Sequence, residues 1–275
     1  MSKDEILKKL RTIQKLKEEI TERVWQNARP IQEIDEEKFN KKGEALTERA
    51  IEQRTVLLAE RLIKEYRNAN PVLISLMDGA HPFASLLQTT LNKFGYKYSY
   101  TTMQASSYGN QLTSGELKIS SMPKINLGER TVFIIDDICD TGKTYLKIKE
   151  LLENFGPKQI SLIVLVEKVQ PRINNYRPEY VGFEIPPDAF VVGMGLDYYG
   201  ELRNKTEIRG VDPASLPSRE EQELLDSEAS LNEELRKLIA LEKTTKPGSS
   251  TMTVFGGNKS KDRVDPSLTD SFQFN

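Results

Sequence analysis

Nothing in this sequence restricts its fold more than the stretch from Thr131 to Thr144. There the apolar run Val132-Phe133-Ile134-Ile135 passes directly into Asp136-Asp137-Ile138-Cys139-Asp140-Thr141-Gly142-Lys143-Thr144. An unbroken run of β-branched and aromatic residues suits a strand buried on both faces, as in a parallel sheet. Two adjacent carboxylates are costly inside such a strand unless they are partnered. The run therefore predicts a strand over Thr131–Ile135 with both acids at its end, the edge where ligands bind in open α/β sheets. A helix is expected to follow from Thr144 to Phe155. Gly156 then accepts a left-handed turn, and Pro157 cannot continue a helix.

The chain on either side supports an alternating fold. Strand-like segments are expected at Val72–Met77, Tyr98–Met103, Gln159–Val166, Tyr180–Phe183 and Phe190–Met194, with helical patterns between several of them. Strand, helix, strand in that order implies parallel pairing. Both ends differ in texture. Ile6, Leu7, Leu10, Ile13, Leu16, Ile20 and Val24 recur every three or four residues from Asp4 to about Asn27, an amphipathic helix in need of a partner surface. A second charged helix is expected from Asp35 to Arg67. Toward the other end, Ser218 and Glu221 are spaced as a capping box ahead of Leu224, Leu231, Leu235 and Leu238. Residues 247–275 are too polar and too rich in small residues for a packed core and read as a disordered tail.

Charge and cysteine content narrow the function classes. Lys plus Arg total 39 against 41 Asp plus Glu, so a net charge of -2 supplies no field for nucleic acid or membrane, and any anion site must be local. No apolar run approaches the roughly 20 residues of a membrane-spanning helix. Cys139 is the only cysteine, which rules out an intramolecular disulfide, and no secretory signal pattern opens the chain. A cytoplasmic protein is expected.

Paired acids followed by a glycine-containing, hydroxyl-rich loop suit a ribose 5-phosphate. The carboxylates accept from vicinal hydroxyls and hold magnesium through water, while the loop cradles the phosphate. Gly142-Lys143-Thr144 also looks like the end of a nucleotide-binding P-loop, but the glycine that motif needs earlier would fall at position 137, which is Asp. A structural alternative is that the acids, Asp140 included, only cap the following turn and helix.

The Phe133-to-Thr144 segment resembles the phosphoribosyl-pyrophosphate motif of type I phosphoribosyltransferases. Three further features narrow the resemblance to the hypoxanthine-guanine phosphoribosyltransferases. They are Ala105-Ser106-Ser107-Tyr108-Gly109, Lys168 with Pro171-Arg172, and the run from Val181-Gly182-Phe183-Glu184-Ile185-Pro186 through Phe190-Val191-Val192-Gly193 to Leu196-Asp197-Tyr198. The resemblance spans roughly residues 46–211. It implies an α/β fold with a mainly parallel sheet flanked by helices and a small hood. Outside it lie a helical N-terminal extension (1–45), a helical C-terminal extension (212–246) and the tail.

The same resemblance implies roles. Asp136 and Asp137 would bind the ribose hydroxyls and, with Asp197, magnesium. Thr141, Gly142, Lys143 and Thr144 would hold the 5-phosphate. Asp140 would accept the purine proton. Lys168 would donate to the 6-oxygen, which hypoxanthine, guanine and xanthine carry, whereas adenine has a donor there. Phe190 would stack on the base, and Val191 would pair with it through its backbone. Arg203 would stand near the pyrophosphate, and Ser107 and Tyr108 would open a closing loop. The pyrophosphate loop departs from the family pattern, for Met77-Asp78-Gly79-Ala80 has an acid where a base is usual, leaving the backbone amides around Asp78 and Gly79 for the anion. His81 and Cys139 lack partners for catalysis and are expected to be structural.

The activity implied is transfer of a phosphoribosyl group from phosphoribosyl pyrophosphate to a 6-oxopurine, in a magnesium-dependent homodimer or homotetramer. Two alternatives remain open on the sequence: another acceptor such as xanthine alone, or a non-catalytic regulator that senses nucleotide or binds RNA. Near-neutral charge argues against RNA.

Overall fold

The computed structural model describes residues 1–31, 45–107, 117–169 and 176–245. The expected tail, the start of the second helix at Asp35, Tyr108, the closing loop and Pro171-Arg172 lie outside the described residues. In chain order the elements are α1 (Lys3–Asn27), β1 (Arg29–Pro30), α2 (Glu48–Glu65), β2 (Val72–Met77), α3 (His81–Lys93), β3 (Ser99–Ser107) and β4 (Leu117–Ser121). There follow β5 (Thr131–Cys139), α4 (Lys143–Glu153), β6 (Gln159–Lys168), β7 (Tyr180–Ile185), β8 (Val191–Val192), β9 (Arg209–Gly210), a 3-10 turn at Pro213–Ser215, α5 (Arg219–Asp226) and α6 (Glu228–Thr245).

Six strands form one sheet in the order β4-β3-β2-β5-β6-β7. Pairing is parallel from β3 to β7, with β4 antiparallel on the outer side of β3. Alternate residues of the central strands feed two different cores, which is why those strands read as continuous apolar runs. On one face Leu73, Phe133, Ile163, Leu165 and Phe183 pack with Leu58 and Leu62 of α2 and with Phe83 and Leu87 of α3. On the other, Ile74, Val132, Ile134, Leu162 and Val164 pack with Tyr145, Ile148 and Leu152 of α4. Each fully buried Leu, Ile or Phe contributes about 1.5–3 kcal/mol through loss of apolar surface.

A separate antiparallel sheet, in the order β1-β9-β8, sits beside the segment Gly193–Leu202. Against this region lie the terminal helices. Ile6, Ile13, Ile20 and Val24 of α1 form one buried stripe, and it meets Leu225 of α5, Leu231 of α6, and Val192, Tyr198 and Leu202. A capping box between Ser2 and Glu5 starts α1. That satisfies two amides that the helix itself cannot bond.

Several features differ from those expected. Within the described residues α2 begins only at Glu48, because Thr47 caps it through its hydroxyl. The last expected strand shrinks to Val191–Val192, since Gly193 and Met194 both adopt positive φ and turn the chain. Leu224 is exposed, and its neighbour Leu225 occupies the core instead. Finally, β5 does not stop at Ile135. It stays paired to β6 as far as Cys139, with Asp136 opposite Val164 and Ile138 opposite Val166, so the acids belong to the strand's last paired positions.

Candidate active site

The carboxyl ends of β2, β5 and β6 converge on one edge of the sheet. At β5, Asp136 and Asp137 are half-buried. Each carboxylate accepts a neighbouring amide, Asp137 N–H donating to Asp136 Oδ1 at 3.0 Å and Ile138 N–H to Asp137 Oδ1 at 2.8 Å, and the two carboxyl groups also share a hydrogen bond with each other. Loss of hydration raises the pKa of Asp136 well above the ordinary carboxylate range, and the like charge of Asp137 raises it further. Asp137 is also raised by burial, with the Arg203 guanidinium working in the opposite direction. Burial dominates at both.

The loop after β2 comes against this pair. A methyl group on Gly79 would overlap Asp137 Oδ2 and crowd Arg203 Nη1, and one on Gly195 would overlap the carbonyl oxygen of Gly79. Only glycines permit this approach. Arg203 is held from two sides: its Nη1 donates to Gly195 O at 2.6 Å and its Nη2 pairs with Asp197 Oδ1 at 2.7 Å. The other oxygen of Asp197 accepts from Gly200 N–H at 2.6 Å. Met77-Asp78 is a cis peptide, and Asp78 is exposed.

Between β5 and α4, Gly142 takes φ 78° and, lacking a side chain, caps the helix without an acceptor of its own. No acid stands in that first turn. The helix start is therefore open to an anion, favoured by the exposed N–H groups and the positive end of the helix dipole. Thr141 Oγ1 accepts from Lys143 N–H at 3.4 Å, and Lys143 and Thr144 are exposed. Asp140 does not cap this helix. Its Oδ2 instead lies 3.3 Å from Lys168 Nζ at the end of β6, with the lysine side chain 16% and the carboxylate 52% exposed. Both residues are expected at the site from the sequence, but not as a pair; the sheet's register, with Cys139 opposite Glu167, brings them together.

Phe190 and Val191 stand in the small sheet. Phe190 is 38% exposed and Val191 is buried. Val211 N–H donates to Phe190 O at 2.7 Å, which makes Val191 and Gly210 the non-hydrogen-bonded pair of the β8–β9 ladder. The amide and carbonyl of Val191 consequently point to the open edge of β8. Ser107 ends β3 opposite Leu117. His81 is the exposed first residue of α3, while Cys139 is buried in the core.

Asp136 and Asp137 offer hard oxygen donors whose mutual repulsion a divalent cation would relieve. Among the described residues no group of three or more His, Cys, Asp or Glu gathers as a metal site. The two carboxylates fit a hard divalent cation, which takes carboxylate oxygens and completes its shell with phosphates and water.

A parallel sheet bearing an acid pair, an open helix start and a glycine-closed loop along its carboxyl edge defines a transferase of the type I phosphoribosyl class. The phosphoribosyl transferase domain model matches residues 43–199. The hypoxanthine-guanine phosphoribosyltransferase of Bacillus subtilis (strain 168) is 35% identical over 62% of this chain and 92% of its own length. That of Lactococcus lactis is 36% identical over 61% and 90%. Among solved structures, the hypoxanthine phosphoribosyltransferase of Staphylococcus aureus aligns with a TM-score of 0.58 at 32% identity, covering 63% of this chain and 92% of that one. The chain belongs to the phosphoribosyltransferase family, in its hypoxanthine-guanine branch.

Proposed function

We propose that this chain transfers the 5-phosphoribosyl group of phosphoribosyl pyrophosphate to hypoxanthine or guanine, releasing pyrophosphate. The observation that carries the acceptor assignment is the pairing of Asp140 with Lys168 at 3.3 Å. A 6-oxopurine presents an acceptor oxygen beside a ring N–H, and a carboxylate adjacent to an ammonium matches that edge. Adenine offers a donor where Lys168 also donates, and so is disfavoured.

The sugar phosphate is assigned to the segment from β5 to α4. Thr141, Gly142, Lys143 and Thr144 hold the 5-phosphate at the helix start, and Asp136 and Asp137 accept from the ribose hydroxyls. Asp78, Gly79, Asp197 and Arg203 face the pyrophosphate side, where the loop amides and the guanidinium supply donors. The base lies on Phe190, with the outward amide and carbonyl of Val191 available to its other edge. Asp140 takes the proton from N7, the imidazole nitrogen beside the 6-oxygen, as N9 of the same ring bonds to the anomeric carbon and the pyrophosphate oxygen leaves with the bonding pair. Magnesium, held by Asp136 and Asp137 with Asp197 close to the pyrophosphate, would supply charge neutralisation for the leaving group. Ser107 and Tyr108 are assigned to a loop that closes over the reacting sugar and keeps water out. A cytoplasmic homodimer or homotetramer completes the proposal.

The test is nucleotide formation from labelled hypoxanthine, guanine, xanthine and adenine, with magnesium and with chelator. Product from hypoxanthine or guanine that disappears on chelation is expected. Product from adenine, or from xanthine alone, would overturn the acceptor assignment.

A further inference from the structure

Phe190 begins a line of aromatic rings that leads out of the site. Its ring meets that of Tyr198 edge-on, with centroids 5.8 Å apart and planes at 66°. Tyr198, 3% exposed, meets Tyr199 at 5.0 Å and 85°. Tyr199 then reaches α5, where its hydroxyl donates to Asp226 Oδ1 at 3.1 Å and accepts from Gln222 Nε2. Gln222 also donates to Asp226 Oδ1 at 3.4 Å, one helical turn along. Chain connectivity ties the same segment to the pyrophosphate side, since Asp197 directly precedes these tyrosines and holds Gly200 N–H.

Two observations argue that the α5 contacts fix this line. Tyr199 stands at φ 51°, a region uncommon for a bulky residue, which persists where surrounding contacts over-determine it. Tyr198 is also packed into the core that α1 shares with α5 and α6. A ring held at both ends transmits position better than one free to turn.

We propose that Gln222 and Asp226 are positioning residues for the acceptor base, holding the Phe190 ring through Tyr198 and Tyr199. The proposal rests on the reading of Phe190 as the base platform. It gives the C-terminal extension a role in catalysis beyond packing.

The test compares Tyr199→Phe, Asp226→Ala, Asp226→Asn and Phe190→Ala in the full chain, measuring KM for purine, KM for phosphoribosyl pyrophosphate, kcat and Tm. Tyr199→Phe and Asp226→Ala each remove two of these hydrogen bonds and should each raise the purine KM about three- to tenfold while leaving the phosphoribosyl pyrophosphate KM nearly unchanged. Asp226→Asn keeps an acceptor oxygen and should recover most of the loss. A rise in both KM values together with a fall in Tm, without rescue by asparagine, would reduce these residues to scaffolding and overturn the proposal. If Phe190→Ala raises the purine KM and Tyr199→Phe does not, the clamp alone is wrong. If Phe190→Ala leaves that KM unchanged, the platform reading fails and the proposal falls with it.

Discussion

The acids at the carboxyl edge of the sheet are handled in two ways. Asp140 and Asp197 each face a cation, Lys168 at 3.3 Å and Arg203 at 2.7 Å, and so are neutralised within the chain. Asp136 faces another acid, and its pKa is raised by burial and by that neighbour. The first arrangement is complete without ligand; the second is not. An acid pair left under repulsion favours whatever brings a cation to it; under the proposed function, affinity for metal-bound sugar phosphate would reside at the pair, Asp140 would take the proton and Asp197 would orient the pyrophosphate side.

The largest test of this division falls on the Asp140–Lys168 pair. Asp140→Asn keeps the shape but removes the proton acceptor, and kcat should fall by about 10²–10⁴ with purine binding little changed. Single-turnover rates, measured alongside purine affinity, would check it. A kcat near wild type would show that the purine proton leaves by another route and that this neutralised pair is structural.

A smaller but more pointed test compares Asp136→Asn with Asp197→Asn in the ligand-free protein. The folded pKa of Asp136 lies above its unfolded value, so its contribution to stability is intact below the ordinary carboxylate range and is lost as pH rises through the raised folded value. Asparagine removes that loss. Asp136→Asn should therefore raise stability by about 1 kcal/mol at neutral pH and show no gain at acid pH. Asp197→Asn should instead cost about 1 kcal/mol by leaving Arg203 without its carboxylate. Urea titrations of both variants at neutral and acid pH give the comparison, and shifts of the same sign would remove the distinction between the two kinds of acid.

Much of this arrangement was legible in the sequence because local chemistry dictates it. Continuous apolar runs such as Val132–Ile135 and Ile160–Val166 pointed to the parallel sheet, and Gly142 could be placed in the turn after β5, where it takes a positive φ. What escaped depends on register and on distant chain segments. Nothing near Asp140 announces Lys168, 28 residues later, as its partner. The pair forms only because β6 runs alongside β5 to its very end. The tight fit of Gly195 on the Gly79 carbonyl had a signal in the glycines around Met194, but their partner could not be inferred without the fold. The buried stripe of α1 was readable, though its docking on the segment behind Asp197 was not.

The smallest effect is expected where ion pairs are wettest. Lys3 and Glu242 join α1 to α6 at 2.7 Å, with side chains 41% and 54% exposed. Such a pair gains little, because water screens the charges and two long side chains must be ordered to form it. Lys3→Gln should cost no more than about 0.5 kcal/mol and leave both KM values alone. Beneath it, Ile13→Ala should cost about 2–4 kcal/mol, since that side chain is fully buried in the stripe that carries the extension. A Lys3→Gln cost approaching that of Ile13→Ala would mean that solvent screens this face far less than its exposure implies, and the low worth assigned to exposed pairs would have to be revised upward.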